Sequence, residues 1–339
     1  MMKRERMIAA IGHRQPDIIP YHCGLTMRMS ERMDAYAGDK GAYARMESHA
    51  TDAGFPFREE ELPGKPGYFR DHFGVVWNRS GADKDIGVIE SPVIPDIANR
   101  DYAFPDIGET ELRARLRAMI EGRGDRFASG SIGFSLFERA WTLATMPEIL
   151  AGMVLHPSHV ESLLDEICEY NLRVIDILIG YDVDAIYFGD DWGQQKGLIM
   201  GPAHWRRFIK PRLKRMYARA KGAGKFVIQH SCGDIGEIFP DLIDIGLDVY
   251  NTFQPEIYDI RAVKREFGRD LSFWGGISTQ RILPSGTPEQ VHDVVIETMR
   301  VMGEGGGYVA APTHAVPYDV PPENLLAMID VFINQGRYL

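Results

Sequence analysis

Cysteine is scarce in this sequence, which has three cysteines in 339 residues. Cys23, Cys168 and Cys232 are an odd number and lie far apart in the chain, so we expect no disulfide framework. No apolar run approaches the ~20 residues that a membrane-spanning helix needs. Residues 1–6 are charged and lack the apolar stretch of a signal peptide. These absences predict a reduced, cytoplasmic protein with no membrane partner.

An excess of basic charge is also absent. The chain has 38 Lys and Arg against 48 Asp and Glu, which gives a net charge of −10. General nucleic-acid binders carry a basic excess, so we expect no nucleic-acid partner. Hydrophobic residues make up 45% of the chain and charged residues 25%, which is typical of a globular protein with a sizeable core.

Short apolar runs alternate with helical patterns along most of the chain. We predict strands at residues 18–21, 126–129, 184–188, 226–228, 248–252, 271–274 and 308–311, and an eighth near residues 53–57. Helical patterns with short connections separate most of these runs, and this alternation predicts parallel strands. Eight such units in one chain predict a single-domain α/β fold over residues 1–339, a closed (β/α)8 TIM barrel.

Residues 59–95 depart from this alternation. A turn-forming segment at residues 64–67 is followed by β-like runs at 68–78 and 86–89, with no helical pattern between them. This predicts a small antiparallel β-ribbon inserted into the barrel.

Polar and ligand-type side chains follow the predicted strands. In a (β/α)8 barrel the functional site lies at the carboxyl ends of the strands. The residues in these positions are His22, Ser129, Asp190, Asp191, His230, Cys232, Gln254 and His314. Of these we predict His22, Asp190 and Gln254 as substrate-binding residues, together with Trp192, and Asp191 and His314 as catalytic residues.

His230 and Cys232 form the sharpest local pattern. They follow the apolar run at residues 226–228 and stand two positions apart. Alternate residues of an extended chain point the same way, so both side chains can reach one ion. Imidazole and thiolate are ligands that zinc favours. The alternative is a buried cysteine beside a hydrogen-bonded histidine, without a metal.

Asp190, Asp191 and Trp192 permit more than one interpretation. Adjacent residues of an extended chain point in opposite directions, so we expect one aspartate to face the barrel mouth and the other to cap the next segment. The aspartate at the mouth can accept a proton, bind a metal or hold a cationic group. Trp192 can stack on a flat ligand or simply pack. His314 can complete a metal set with His230 and Cys232, or act as a proton donor without a metal.

Taken together, several motifs resemble the uroporphyrinogen decarboxylase superfamily. They are Arg4-Glu5-Arg6, His13-Arg14-Gln15-Pro16-Asp17, Tyr187-Phe188-Gly189-Asp190-Asp191-Trp192-Gly193, Ile209-Lys210-Pro211-Arg212, His230-Ser231-Cys232-Gly233, Trp274-Gly275-Gly276-Ile277 and Pro321-Pro322-Glu323-Asn324. The resemblance implies a (β/α)8 barrel that is either a tetrapyrrole decarboxylase or a cobalamin-dependent methyltransferase. The decarboxylases carry an arginine-rich segment near the N-terminus that grips substrate carboxylates, and residues 21–28 lack it. The His-x-Cys motif, by contrast, is similar to the zinc motif of the methyltransferase branch.

The resemblance also includes one departure. The methyltransferases have a later cysteine as a zinc ligand, and His314 occupies the matching position here. The resemblance therefore implies a zinc set of His230, Cys232 and His314, or one that recruits a carboxylate.

From the resemblance we expect a zinc-assisted methyltransferase that moves a methyl group between a corrinoid (cobalamin) and a small-molecule donor or acceptor. The corrinoid is a co-substrate that a partner protein can carry. The alternative enzyme is a decarboxylase of a tetrapyrrole-like or aromatic acid, with Asp191 or His314 as proton donor. A third alternative is a non-catalytic barrel that binds a corrinoid or its carrier.

Overall fold

The computed structural model describes residues 1–38, 48–55, 58–81 and 87–339. Three of the sequence predictions reach beyond these residues. They are a charged helical stretch over residues 27–53, the end of the strand at 53–57 and the start of the run at 86–89. In the described part of the chain no helix has the length and apolar character that crossing a membrane requires.

Helices and strands alternate from residue 109 onward. The helices are α1 Lys3–Ile11, α2 Met27–Ala37, α3 Glu109–Gly122, α4 Phe137–Ala144, α5 Met146–Leu155, α6 Pro157–Leu178, α7 Gly201–His204, α8 Lys210–Gly222, α9 Phe239–Asp244, α10 Ile260–Phe267, α11 Ile282–Ser285, α12 Pro288–Gly303 and α13 Pro322–Ile333. The strands are β1 Ala50–Gly54, β2 Glu59–Glu61, β3 Tyr68–Asp71, β4 Val76–Asn78, β5 Val88–Ser91, β6 Phe127–Ile132, β7 Ala185–Gly189, β8 Gly193–Gln194, β9 Gly197–Leu198, β10 Phe226–His230, β11 Val249–Phe253, β12 Ser272–Ile277 and β13 Tyr308–Pro312.

Seven parallel strands form the central sheet, in the order β1-β6-β7-β10-β11-β12-β13. Neighbours in this sheet follow one another along the chain with helical connections, apart from the antiparallel strands β2–β5 between β1 and β6 and the β8–β9 pair between β7 and β10. This confirms the prediction of an α/β fold with parallel strands. The eighth strand that was expected near residues 53–57 is β1, which begins at Ala50 and lies slightly earlier in the chain.

The strand predicted at residues 18–21 is reduced to a single bridge, so the regular strands of the described residues number seven in this sheet and do not confirm a complete eight-stranded barrel. Tyr21 bridges Ala310 of β13, and its carbonyl oxygen accepts a hydrogen bond from the His49 backbone beside β1 at 3.0 Å. The segment therefore contacts both edges of the curled sheet. Pro20 has no backbone N–H to donate, and this limits the length of the ladder.

The interior of the curled sheet is an apolar layer to which all seven strands contribute. Its members are Ala50, Phe127, Ala185, Ile228, Val249, Trp274, Val309 and Ala311, and Met7 and Ile11 of α1 pack against them. Met7 and Ile11 are buried. Because α1 lies against this layer, polar side chains of the interior gather at the carboxyl ends of the strands.

The strands β2, β3, β4 and β5 form a four-stranded antiparallel sheet in that order. Buried Asp71 organises it by accepting hydrogen bonds from the backbone of Phe73 and Val75 and from the Trp77 indole. The Arg139 guanidinium of α4 lies 3.7 Å from the centre of the Phe73 ring. That residues 1–339 form one domain with this sheet as an insertion stays a prediction.

The helical pattern of residues 136–152 predicts one helix, and the structure divides it into α4 and α5. Thr145, which lies between them, has a φ of 90°, and its side chain accepts a hydrogen bond from the Glu148 backbone at 3.4 Å. Pro147 follows in the first turn of α5, where a residue without an N–H donor is tolerated. The new cap and the proline start a second helix.

Candidate functional site

Strand alternation places a ring of polar side chains above the apolar layer. The residue two positions after an inward-facing apolar residue also faces inward. Counting from the layer, these residues are Asp52 on β1, Ser129 on β6, Tyr187 on β7, His230 on β10 and Asn251 on β11. The ring is therefore a direct consequence of strand geometry.

These side chains border a pocket of about 310 Å³. It opens at the carboxyl ends of the strands, where the sequence predicted the site. Its lining residues are His22, Gly24, Ala50, Thr51, Asp52, Ser129, Ser131, Tyr187, His230, Asn251, Trp274, Ala311, Pro312, Thr313, His314 and Ala315.

Asp191, His230 and Cys232 form a compact group of metal-ligand types beside this pocket. A carboxylate oxygen, a ring nitrogen and the sulfur all lie within 4.8 Å of one another. His230 Nε2 is 3.5 Å from Cys232 Sγ and 3.6 Å from Asp191 Oδ1. His230 belongs to both the pocket and the group, so the two features are continuous.

Asn251 fixes the orientation of the His230 ring. The Asn251 amide nitrogen donates to the Trp274 carbonyl at 3.3 Å, so its oxygen faces the other way and accepts from the Tyr187 hydroxyl at 2.8 Å. The same oxygen lies 2.6 Å from His230 Nδ1, which must therefore carry the proton. The lone pair is then on Nε2, the atom that faces Asp191 and Cys232.

The loop after β10 is held tightly against the loop after β7. The Cys232 backbone N–H donates to Asp191 Oδ1 at 2.7 Å, and the Gly233 N–H donates to Gln254 Oε1 at 2.7 Å. Gly233 has a φ of 78°, and a Cβ there would lie 2.2 Å from the Gly193 carbonyl carbon. A side chain at position 233 would separate the two loops and move Cys232 away from Asp191.

Asp190 and Trp192 are not among the residues that line the pocket, and their substrate-binding roles stay a prediction. Both side chains are fully buried. The Asp190 carboxylate accepts hydrogen bonds from the backbone of Leu136, Phe137 and Glu138 at the start of α4, and from the Trp192 indole at 2.5 Å. Asp190 is thus the capping aspartate of the pair, and Trp192 is a packing residue.

The other predicted residues are divided between the pocket and its support. His22 lines the pocket, and its Nδ1 lies 2.6 Å from Ser48 Oγ. Gln254 is buried and supports the Cys232 loop instead of facing the pocket. The His314 ring also lines the pocket, with its centre 5.9 Å from that of His230. His314 is not part of the compact ligand group, in which the third donor-type side chain is the Asp191 carboxylate.

Acidic side chains are concentrated around the ligand group. Burial raises the pKa of the Cys232 thiol, and the charge of Asp191 raises it further. Burial also raises the pKa of Glu138 well above its ordinary value, with added contributions from Asp191 and Asp190. Two carboxyl groups and a thiol lie around His230, with no lysine or arginine in the ligand group, and this environment favours a bound cation.

The donor set fits zinc. Zinc bonds of about 2.0–2.3 Å at tetrahedral angles put neighbouring ligand atoms roughly 3.5 Å apart, and the two distances from His230 Nε2 are 3.5 and 3.6 Å. Catalytic zinc sites use three protein ligands and leave a fourth position open for substrate. Asp191, His230 and Cys232 would supply those three ligands.

Sequence reasoning missed Asp52, Tyr187, Asn251, Trp274 and Glu138. The alternation rule could have found Tyr187 and Asn251, because each stands two positions after an inward-facing apolar residue. Asp52 was missed because its strand was predicted to begin at residue 53. No sequence signal indicated Glu138, which comes near Asp191 only because Asp190 caps α4.

Known proteins of two activities are similar to this chain. The profile of the family described as uroporphyrinogen decarboxylase (URO-D) matches residues 134–334, more than half of the chain. A methylated-thiol–coenzyme M methyltransferase of Methanosarcina mazei is 23% identical over 177 residues, which are 51% of this chain and 44% of that enzyme. The match thus spans less than half of that relative's length. A uroporphyrinogen decarboxylase of Methylococcus capsulatus is 23% identical over 247 residues, 69% of this chain and 67% of that enzyme.

One solved structure is similar along nearly the whole chain. It is described as a methyltransferase from Methanosarcina mazei and covers 99% of both chains with a TM-score of 0.74 and 18% sequence identity. At this identity the likeness concerns the fold. It extends over the parallel sheet and the segments that precede it.

Proposed function

The chain belongs to the uroporphyrinogen decarboxylase family, and we propose that it is a methyltransferase that moves a methyl group between a corrinoid and a small molecule with the help of zinc. The family is the one that the sequence motifs predicted. The observation that carries the proposal is the group of Asp191, His230 and Cys232 at the edge of a small pocket.

The residues of the group would bind the metal and orient it toward the pocket. His230 would bind through Nε2, because Asn251 holds its Nδ1–H. Asp191 contributes a carboxylate oxygen and also holds the Cys232 backbone. Bound zinc supplies a Lewis acid that lowers the pKa of an acceptor or polarises the leaving atom of a donor.

The transfer itself is a displacement at the methyl carbon. A nucleophile, either cobalt(I) of the corrinoid or a heteroatom of the acceptor, forms the new bond with its own electron pair. The leaving atom keeps the pair of the broken bond, and a proton balances its charge where required. His314 lines the pocket and is the candidate group for that proton. The corrinoid, free or on a carrier protein, would approach from the carboxyl ends of the strands.

Decarboxylation of a tetrapyrrole is the competing function, since the chain is also similar to uroporphyrinogen decarboxylases. Such a substrate carries eight carboxylates and needs cationic partners. Among the described residues that line the pocket there is no lysine or arginine. This composition favours methyl transfer.

The test is the spectrum of methylcobalamin mixed with the protein and a thiol acceptor. We expect demethylation of the cobalt in the presence of the zinc-loaded protein and loss of this activity in Cys232→Ala. Cys168→Ala is the matched control, because Cys168 is buried against the backbone of α8 and does not line the pocket. Release of carbon dioxide from a porphyrinogen, with no change in the corrinoid spectrum, would favour the decarboxylase instead.

A further inference from the structure

The charge of the pocket points to the class of its substrate. Asp52 is the one carboxylate that lines it, and no lysine or arginine lines it among the residues that the structure describes. Burial lowers the pKa of His22, so this ring is neutral at pH 7. Asp191 is a second carboxylate, beside the pocket in the ligand group. The lining therefore attracts cations and repels anions.

Asp52 is available to a ligand. It lies in the middle of β1 at an inward-facing position, and it remains exposed. Its Oδ2 accepts a hydrogen bond from the Ser131 hydroxyl at 3.2 Å, which leaves its other oxygen free of any hydrogen bond that the structure gives. The carboxylate is thus oriented, and no lysine or arginine among the described residues forms an ion pair with it.

Asp52 and the ligand group lie at different places around the pocket. β6 and β7 separate β1 from β10, the strand that carries His230. A small molecule in the pocket can therefore direct one end to Asp52 and the other to the ligand group. The aromatic rings of Tyr187 and Trp274 line the space and suit a cationic group.

We propose that the substrate is a small organic cation, with an ammonium-type group at Asp52 and the heteroatom that gives or receives the methyl group at the ligand group. This rests on the proposed function and deepens it by naming the substrate class. Asp52 is then the residue that determines specificity, and it selects against carboxylate and sulfonate substrates.

A series of thiols that differ only in the charge of one end tests the proposal. The probes are 2-aminoethanethiol, 2-mercaptoethanol and 2-mercaptoethanesulfonate. Each is also tested as a longer homologue with a four-carbon spacer, because two strands separate Asp52 from His230. Binding to the zinc-loaded protein is measured by calorimetry. We expect the ammonium probe to bind about tenfold or more tightly than the sulfonate, with the neutral probe between them, and the difference to shrink at high salt.

Variants at position 52 assign the effect to one residue. Asp52→Asn keeps the shape and should reduce the ammonium preference to about threefold or less, whereas Asp52→Lys should favour the sulfonate. Asp101→Asn, an exposed aspartate outside the pocket, is the control and should change nothing. Equal binding of the three probes, or an ammonium preference that survives in Asp52→Asn, would overturn the proposal.

The two proposals fail separately. A protein that takes up zinc and demethylates methylcobalamin but binds the three thiols equally contradicts the cation proposal alone. A protein that takes up no zinc yet prefers the ammonium probe contradicts zinc-assisted transfer and keeps the assignment of Asp52.

Discussion

His230 Nδ1 lies 2.6 Å from Asn251 Oδ1, and this contact decides which nitrogen of His230 faces the ligand group. Metal-binding histidines are commonly held by a hydrogen bond to the second ring nitrogen, and loss of that partner typically weakens metal binding 10–100-fold. Asn251→Ala should therefore weaken zinc binding by about that factor, as measured by competition with a chromogenic chelator. Asn99→Ala, which removes an exposed side chain, is the control. Unchanged zinc affinity in Asn251→Ala would mean that the contact does not hold a ligand.

His314 is expected to serve the substrate and not the metal. It lines the pocket but lies outside the compact ligand group. His314→Ala should keep the zinc content of the native protein and lower turnover by roughly 100-fold, if the ring transfers a proton. Zinc analysis and a methyl-transfer assay on the same preparation measure both effects. Loss of zinc in His314→Ala, with recovery in His314→Cys, would restore the ligand role that the sequence predicted first.

Asp190 is expected to support the fold. Its buried carboxylate accepts hydrogen bonds from three backbone N–H groups and the Trp192 indole. Asp190→Asn removes the charge and replaces one acceptor with a donor, so we expect a loss of ~2–4 kcal/mol in the free energy of unfolding in urea. Asp96→Asn, at an exposed cap, should cost far less. If Asp190→Asn instead has the same free energy of unfolding as the native protein but no longer binds substrate, Asp190 has the substrate-binding role that the sequence predicted.

His49 should make the stability depend on pH. Its ring is buried against Tyr21, and burial lowers its pKa to about 4. Between this value and the unfolded pKa of ~6.5, the unfolded chain binds a proton that the folded chain does not. The free energy of unfolding should therefore fall as the pH drops from about 6.5 to about 4, and His49 should account for up to ~3 kcal/mol of this loss. Above pH 6.5 His49 should not affect the free energy of unfolding.

Urea unfolding across this pH range measures the slope in native protein and in His49→Gln. Burial also lowers the pKa of His72 to about 4, so His49→Gln should remove roughly half of the combined effect of the two rings. His159→Gln, which changes an exposed histidine, should leave the slope as it is. A slope that His49→Gln does not reduce would contradict the assignment.

The sequence was informative where a local pattern has one geometric outcome. His230 and Cys232 stand two positions apart at a strand end, so alternation brings them together whatever the rest of the fold does. The split between Asp190 and Asp191 follows from the same rule, although the rule does not say which of them caps a helix. That outcome depends on the position of α4, which the sequence does not reveal locally.

Other features depend on contacts between distant segments. Asp191 joins the ligand group because the Cys232 backbone donates to it across the two loops. Asp52 faces the pocket because β1 begins at Ala50. The apolar residues of this segment had predicted a strand that begins at residue 53. The segment at Tyr21 forms a bridge in place of a strand, because Pro20 cannot donate to a ladder.

The most direct test of the account is metal analysis of the purified protein alongside Cys232→Ala and Cys168→Ala. If Asp191, His230 and Cys232 bind the metal, native protein and Cys168→Ala should contain about one zinc per chain and Cys232→Ala close to none. X-ray absorption at the zinc edge should show one sulfur among nitrogen and oxygen neighbours. Native protein that transfers methyl groups at full rate after removal of all metal would contradict the account.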